Sequence, residues 1–204
     1  MSPRYAEALE RLYPVHGVDP GAPWETVFDR GVPVVLEIGS GMGESTVEVA
    51  AADPGRDYLA IEVHEPGIGN LLAMIAERGI TNLRVLDADA LTYLRTLPDG
   101  VFDAVCVFFP DPWPKVRHHK RRLIQPDNVA LLRSKLRMDG SLYCATDWEH
   151  YGKSMLDVLS AADGLRNPHG GFGPRPSWRP MTKFETRGVE AGRGIYDLEF
   201  RRTA

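Results

Sequence analysis

A glycine-rich turn between a strand-like run and a helical segment constrains this chain more than any other feature. Residues 32–38 (VPVVLEI) form an apolar, β-branched run that is typical of a buried parallel strand. The sequence continues as Gly39-Ser40-Gly41-Met42-Gly43, and a helix is predicted for residues 44–52. Glycines at this spacing let the backbone turn sharply and let a ligand approach it closely. The turn therefore predicts an α/β protein with a ligand at a strand–loop–helix junction.

The rest of the chain alternates apolar strand-like runs with helical patterns, which indicates an α/β fold with a mainly parallel sheet. A length of 204 residues suits one domain. Further strands are predicted at 58–63, 83–86, 102–109 and 141–145, and further helices at 67–78, 91–97, 127–136 and 148–161.

The C-terminal part departs from this alternation. Residues 163–180 are rich in Gly and Pro, and a loop of this length predicts a functional or mobile segment. Residues 182–187 and 194–200 are predicted to form a terminal antiparallel hairpin. Such a hairpin distinguishes the chain from dinucleotide dehydrogenases, whose doubly wound sheet continues with parallel strands.

Charge and cysteine usage narrow the class of protein. The net charge of −4 argues weakly against a nucleic-acid partner, but residues 115–122 read KVRHHKRR without an acidic residue. Such a basic segment binds polyanions even on an acidic protein, because salt screens distant charges. The N-terminus lacks the apolar run of a signal peptide, and no run approaches the ~20 apolar residues of a membrane span. We therefore expect a cytoplasmic protein with no membrane contact, with Cys106 and Cys144 buried and reduced and with no metal site.

Acidic residues at predicted strand ends indicate which ligand the glycine turn binds. The spacing is G-x-G-x-G, whereas the dinucleotide fingerprint is G-x-G-x-x-G, which places a pyrophosphate at a helix N-terminus. Glu37, just before the turn, favours the positively charged sulfonium of S-adenosylmethionine over a phosphate. Glu62 is placed to accept the ribose hydroxyls, and Asp87 or Asp89 to bind the adenine amino group while the other caps a helix. We favour Asp89 for adenine. The predicted cofactor residues in this part of the chain are Glu37, Gly39, Gly41, Gly43, Glu62 and Asp89.

The fourth predicted strand ends in a proline-rich loop around Asp111. Ligands of open α/β sheets bind beyond the carboxyl ends of strands, and the flanking prolines fix the backbone of this loop. A carboxylate held there could accept hydrogen bonds from the N1–H and N2–H edge of guanine, or could simply cap a rigid turn. The sequence Asp111-Pro112-Trp113 differs from the Asn/Asp-Pro-Pro-aromatic motif of amino-methylating enzymes. Asp147, at the end of the fifth strand, would share this edge or would cap the helix that follows.

Taken together, these motifs resemble the bacterial tRNA (guanine-N7-)-methyltransferase family. The glycine turn alone is not specific, but the combination is, and the resemblance extends from about residue 32 to residue 201. The stretches that carry it are LEIGSGMGEST (36–46), IEVHEPG (61–67), FFPDPWPKVRHHKRRLIQP (108–126), ATDWEHY (145–151) and TKFETRG (182–188). The longer, basic N-terminal arm of many members is not found before Glu37.

The resemblance implies a Rossmann-like class I methyltransferase fold: a seven-stranded, mainly parallel sheet with the last strand antiparallel and helices on both faces. It implies methyl transfer from S-adenosylmethionine to N7 of a guanosine in the tRNA variable loop, which leaves S-adenosylhomocysteine. Asp111 would be the catalytic residue and also contact the cofactor. The implied substrate-binding residues are Lys115, Asp147, Thr182, Lys183, Phe184 and Glu185. The basic segment predicts a phosphate-binding patch of Arg117, Lys120, Arg121 and Arg122.

Alternatives stay open at this point. The acceptor could be another RNA or a small molecule, although a small molecule needs no KVRHHKRR segment. A non-catalytic RNA-binding protein would keep the basic segment without needing Glu37, Glu62 and Asp89 together. The loop spacing and the predicted hairpin disfavour a nicotinamide oxidoreductase. Monomer and homodimer are both compatible with the sequence.

Overall fold

The computed structural model describes residues 2–190 and 192–204, apart from the side chains of residues 183, 184 and 187. The chain divides into two compact units. The first comprises residues 1–98 and 178–180, and the second comprises residues 99–177 and 181–204.

The first unit contains three parallel strands that lie side by side in chain order and are joined by helices. The strands pair in register, with Leu36 opposite Leu59, and both of these side chains are fully buried. The helices are α1 (Pro3–His16), α2 (Glu44–Ala52), α3 (Glu65–Arg78) and α4 (Ala90–Leu94), with a 3₁₀ helix at Trp24–Thr26, and the strands are β1 (Val34–Ile38), β2 (Asp57–Glu62) and β3 (Leu83–Asp87).

Helix α1 was not predicted from the sequence, and it packs against α3. Gly69 makes this close approach possible, since a Cβ atom at that position would lie 2.5 Å from the carbonyl oxygen of Tyr5. The short segment that precedes β1 is therefore part of the folded core of this unit.

The second unit contains four strands, β4 (Phe102–Phe108), β5 (Leu136–Thr146), β6 (Leu165–Arg166) and β7 (Tyr196–Arg202). Their order in the sheet is β4-β5-β7-β6. Strands β4 and β5 are parallel, whereas β7 is antiparallel to both β5 and β6. The helices are α5 (Pro126–Lys135), α6 (Glu149–Ser160) and α7 (Lys183–Glu190), with a 3₁₀ helix at Val116–Arg121.

The structure confirms a seven-stranded mixed sheet with an antiparallel last strand, but the predicted hairpin is wrong. Residues 183–190 form helix α7, and β7 pairs with β5 and β6 instead. A capping box explains the difference: the Thr182 N–H donates to Glu185 Oε2 at 2.9 Å, and the Glu185 N–H donates to Thr182 Oγ1 at 3.1 Å. The Thr-x-x-Glu signature outweighs the strand preference of Thr and Phe.

The Gly- and Pro-rich segment 163–180 contains more order than the sequence indicated. Strand β6 lies within it, and Gly173 forms a bridge with Asp197 of β7. Its mobility stays a prediction. Both cysteines are buried and free, as predicted, and burial raises the pKa of the Cys144 thiol to about 12. Within the described ranges, no helix has the length and apolar character needed to cross a membrane.

Candidate functional site

The glycine turn combines an open face with a packed base. Gly39, Gly41 and Gly43 have φ angles of 78°, 58° and 77°, in the left-handed region that favours glycine. A Cβ atom at Gly39 or Gly41 would meet nothing within 4 Å, whereas one at Gly43 would lie 2.6 Å from Leu71 Cδ1. The first two glycines therefore leave free space that a ligand can enter, and the third allows α2 to pack against α3.

Helix α3 holds the other side of the turn. A Cβ atom at Gly67 would lie 2.1 Å from the carbonyl oxygen of Gly41, so only glycine permits this approach. The buried Asn70 side chain donates from Nδ2 to the carbonyl oxygen of Met42 at 2.7 Å. Asn70 was not predicted from the sequence, although a polar residue among the apolar residues of a helix is a recognisable signal.

Glu62 serves mainly to anchor the turn. Its Oε2 accepts from the Gly41 N–H at 2.7 Å, and its Oε1 accepts from the N–H groups of Val63 at 2.8 Å and His64 at 3.0 Å. A carboxylate offers about four acceptor positions, so these three bonds leave about one for a ribose hydroxyl. The predicted ribose contact therefore remains feasible, but the anchoring role was not predicted.

The acidic groups of the first unit create an environment that favours a cation. The pKa of Glu37 is raised, mainly by burial. A hydrogen bond from the Thr46 hydroxyl opposes this shift, and the negative charge of Glu62 adds to it. Burial and the charges of Glu65 and Glu62 raise the pKa of Asp87. Each raised pKa reflects a carboxylate that would gain from a nearby positive charge. The open space at Gly39 and Gly41 beside these acids fits S-adenosylmethionine, whose sulfonium and ammonium groups are cationic.

The turn after β3 is held from two sides. Asp89 caps α4 and accepts from the Thr92 N–H at 2.8 Å, and hydrogen bonds from the hydroxyl and the N–H of Thr92 lower the pKa of its carboxyl group. The Tyr13 hydroxyl of α1 donates to the carbonyl oxygen of Val18 at 3.1 Å and accepts from the Asp87 N–H at 3.0 Å. The cap of α4 is therefore Asp89, the residue favoured for adenine, and not Asp87; its carboxylate remains exposed for a further hydrogen bond.

In the second unit, the Asp111 loop has an unusual backbone. Phe109 and Trp113 have positive φ angles of 51° and 44°, a conformation that costs energy for residues other than glycine and clusters at functional sites. The Phe109 N–H donates to the carbonyl oxygen of Ala145 at 2.8 Å. Asp111 is exposed, and among residues 2–190 and 192–204 its carboxylate has no hydrogen-bond or ion-pair partner. It caps no turn and is available to a ligand.

The basic segment after this loop forms the 3₁₀ helix Val116–Arg121. The guanidinium of Arg121 lies 4.9 Å from the centroid of the Trp113 ring, and the His118 ring meets the Trp113 ring edge-on at 5.8 Å. This aromatic support holds one end of the segment. The exposed cations of the segment are Lys115, Arg117, Lys120 and Arg121.

Arg122 differs from its neighbours, and the structure corrects its predicted place in the phosphate-binding patch. Its side chain is only 2 % exposed, and its Nε donates to the carbonyl oxygen of Pro112 at 2.9 Å. A guanidinium enclosed by protein cannot contact a phosphate on the surface. We therefore exclude Arg122 from the patch.

The predicted substrate residues near α6 and α7 have internal partners. Asp147 accepts from Arg193 Nη1 at 2.8 Å, and the N-cap of α6 is Trp148, so the capping alternative for Asp147 is wrong. Glu185 is 1 % exposed and belongs to the capping box with Thr182. The side chains of Lys183 and Phe184 lie outside the described residues. Arg193 was not predicted, because nothing in the sequence links it to Asp147.

Comparison with known proteins decides the family. The family model described as "Putative methyltransferase" matches residues 31–198. The tRNA (guanine-N(7)-)-methyltransferase of Paraburkholderia xenovorans is 50% identical over 201 residues, which cover 96% of this chain and 76% of that protein. The chain belongs to the tRNA (guanine-N(7)-)-methyltransferase family. The tRNA (guanine-N(7)-)-methyltransferase of Aromatoleum aromaticum is 52% identical to this family member over 179 residues, which cover 87% of this chain and 69% of the Aromatoleum protein.

Solved structures show that this family member has the Rossmann-like class I methyltransferase fold. An rRNA methylase from Streptococcus thermophilus has a TM-score of 0.59 at 11% identity, covering 85% of this chain and 88% of that chain. The aminoglycoside resistance methyltransferase NpmB1 has a TM-score of 0.55 at 16% identity, covering 84% and 87%. The [4+2]-cyclase SpnF has a TM-score of 0.58 at 16% identity, covering 92% and 85%. Because a cyclase shares the fold, the fold alone does not define the reaction.

Proposed function

We propose that this protein transfers a methyl group from S-adenosylmethionine to N7 of a guanosine in the variable loop of tRNA. The choice of acceptor rests on the name shared by two relatives that are 50% and 52% identical to this protein over 96% and 87% of its chain. The Asp111 carboxylate, which is exposed and has no partner among the described residues, and the cations that follow it support the same choice. We further propose that the chain is one catalytic domain and acts in the cytoplasm, where tRNA is modified.

The first unit would hold the cofactor. Gly39 and Gly41 offer open space, Glu37 favours the cationic end, and the remaining acceptor position of Glu62 suits a ribose hydroxyl. Asp89 would bind the adenine amino group through an acceptor position of its exposed carboxylate that Thr92 does not occupy. When bound, S-adenosylmethionine supplies a methyl group on a positively charged sulfonium.

The protein's part in the reaction is positioning and electrostatics. Guanine N7 carries a lone pair and no proton, so the reaction requires no general base. Asp111 would accept hydrogen bonds from the N1–H and N2–H groups and so fix the orientation of the base. The same carboxylate would stabilise the positive charge that the base gains as it becomes methylated.

The second unit would bind tRNA. Arg117, Lys120 and Arg121 would contact phosphates, with Lys115 closer to the target nucleotide. A guanine held in tertiary pairing must be extruded at a cost of roughly a few kcal/mol, which these contacts offset. We propose that the target nucleotide also contacts Asp147, Thr182, Lys183, Phe184 and Glu185. Asp147 would use an acceptor position that Arg193 does not occupy, and Glu185, which is 1 % exposed, would have to become accessible when the nucleotide binds.

Transfer of a labelled methyl group to bulk tRNA, followed by nucleoside analysis, tests this function. We expect 7-methylguanosine as the labelled product. Another labelled nucleoside would reject the proposed acceptor atom. Binding of tRNA without label incorporation would favour a non-catalytic RNA-binding protein, and label in small molecules alone would favour a small-molecule methyltransferase.

A further inference from the structure

Arg122 is a buried arginine next to the loop that carries Asp111. It is among the largest fully buried side chains of the protein. Burial is the largest cause of its pKa being lowered, because an enclosed charge loses its hydration. A buried guanidinium is costly unless its donors are paired. Its partners therefore indicate what the residue does.

Three groups surround the guanidinium. Nε donates to the carbonyl oxygen of Pro112 at 2.9 Å, Nη2 lies 3.2 Å from Nδ1 of His150, and the guanidinium carbon lies 4.6 Å from the centroid of the Tyr151 ring. Because arginine only donates, Nδ1 of His150 must be the acceptor, so the proton of that neutral ring lies on Nε2. Arg122 thus connects the Asp111 loop to the first turn of α6.

The Asp111 loop needs support from outside its own sequence. Phe109 and Trp113 adopt left-handed conformations, and Pro110 and Pro112 have no N–H group with which to pair. The Phe109 N–H is bound to Ala145, and the Pro112 carbonyl is bound to Arg122. Asp111 lies between these two fixed points. The Arg122–Pro112 bond also closes the chain around the basic segment, which joins Pro112 to Arg122.

We propose that Arg122 is a positioning residue, which holds Asp111 in its reactive geometry through the carbonyl group of Pro112. This inference rests on the proposed function. Arg121, by contrast, is exposed and stacked on Trp113, where its charge is accessible to RNA. Two adjacent arginines of the same motif would thus act differently, one on the phosphates and one on the reactive loop.

Kinetic analysis of Arg122→Lys and Arg122→Met tests the role. A shift of the reacting groups by about 1 Å can cost about 100-fold in rate. We expect kcat to fall about 10-fold in Arg122→Lys and about 100-fold in Arg122→Met, with KM for the cofactor within about twofold and with an unchanged salt dependence of tRNA binding. Arg30→Lys is the matched control, because Arg30 also donates to backbone carbonyls, those of Pro54 and Arg56. Its kcat should stay at the wild-type value.

The conformation of the loop provides a second, independent measurement. In protein labelled with 5-fluorotryptophan, the ¹⁹F resonance of Trp113, assigned with Trp113→Phe, should shift or broaden in Arg122→Lys but not in Arg30→Lys. His150→Ala removes one acceptor from Arg122 at an exposed residue, and should produce a smaller change of the same kind even if the Arg122 variants fail to fold.

Several outcomes overturn the inference. Wild-type kcat in a folded Arg122→Met variant is one, and an unchanged Trp113 resonance in both Arg122→Lys and His150→Ala is another. A weaker tRNA affinity with a reduced salt slope at unchanged kcat would make Arg122 a phosphate contact instead. If the wild-type protein does not methylate tRNA, the proposed function fails, whereas the ¹⁹F measurement still tests whether Arg122 holds the loop.

Discussion

The two loops that carry the candidate functional residues, one in each unit, achieve defined shapes by different means. The turn at residues 39–43 uses three glycines with left-handed φ angles, and the backbone pays little for them. The loop around Asp111 places Phe109 and Trp113 in the same region, where side chains make it costly. The first shape is inherent in the local sequence, whereas the second depends on bonds to Ala145 and Arg122. A loop of the first kind tolerates distant changes, and one of the second kind should not.

The two loops also differ in the sign of the charges that surround them. The glycine turn adjoins the acids Glu37, Glu62 and Asp87, two of which have raised pKa values. The Asp111 loop is followed by exposed cations. An acidic surface suits a cationic cofactor and a basic one suits a polyanion. The first loop should therefore govern cofactor affinity, and the second should govern turnover and RNA binding.

Asp111→Ala should give the largest effect and tests this division directly. We expect kcat to fall by about 100-fold or more, because a charge-stabilising group is lost, while the cofactor dissociation constant changes by less than about threefold. Single-turnover methyl transfer and calorimetric titration with cofactor would measure the two quantities. Asp127→Ala, which removes another exposed acid of the second unit, is the control. Unchanged turnover in Asp111→Ala would contradict the assignment of the catalytic residue.

Glu62→Gln should disturb the glycine turn at residues 39–43 and weaken cofactor binding. The amide group can accept on one side only, so at least one of the N–H groups of Gly41, Val63 and His64 would face an NH₂ group. An unpaired donor costs about 1–3 kcal/mol, which corresponds to about 5- to 150-fold weaker cofactor binding if the cost falls on the turn. Calorimetry would measure it, with Glu48→Gln on the exposed face of α2 as control. A loss of kcat at unchanged cofactor affinity would reverse the division between the loops.

The sequence predicted the glycine turn better than the Asp111 loop, because the shape of the turn is inherent in its local sequence. Left-handed glycines, a β-branched strand and an acid at its end are local signals, and β1, α2 and the turn between them lie close to their predicted bounds. No local pattern encodes contacts between residues that are far apart in the chain. Such contacts join Arg122 to His150, Arg193 to Asp147 and Tyr13 to Asp87. Helix α7 is a different case: its Thr-x-x-Glu signature is local, but the strand-like composition of residues 182–187 predicts a hairpin instead.

Arg121→Ala should have a smaller effect, confined to RNA binding. Removing one phosphate contact should reduce the slope of log affinity against log salt by about one, and should weaken tRNA binding several-fold at low salt. Filter binding across a salt series would measure the slope. Arg166→Ala, an exposed arginine of β6 outside the basic segment, should leave it unchanged. An unaltered slope in Arg121→Ala would mean that Arg121 supports Trp113 rather than contacting phosphate.

Asp89→Asn should have the smallest effect, and one that depends on pH. Hydrogen bonds from Thr92 lower the pKa of Asp89 in the folded protein, so its carboxylate stabilises the fold above the ordinary pKa of an aspartate, about 4. This contribution is lost as the pH falls below about 4 toward the lowered folded pKa. Asparagine also caps helices well, so only the part due to charge should disappear. Urea unfolding of both proteins should therefore show a small difference in free energy near pH 6 that shrinks progressively as the pH falls below about 4. A difference that stays the same across this pH range would mean that the carboxylate charge is not what stabilises this turn, and that the amide itself fits the α4 cap poorly.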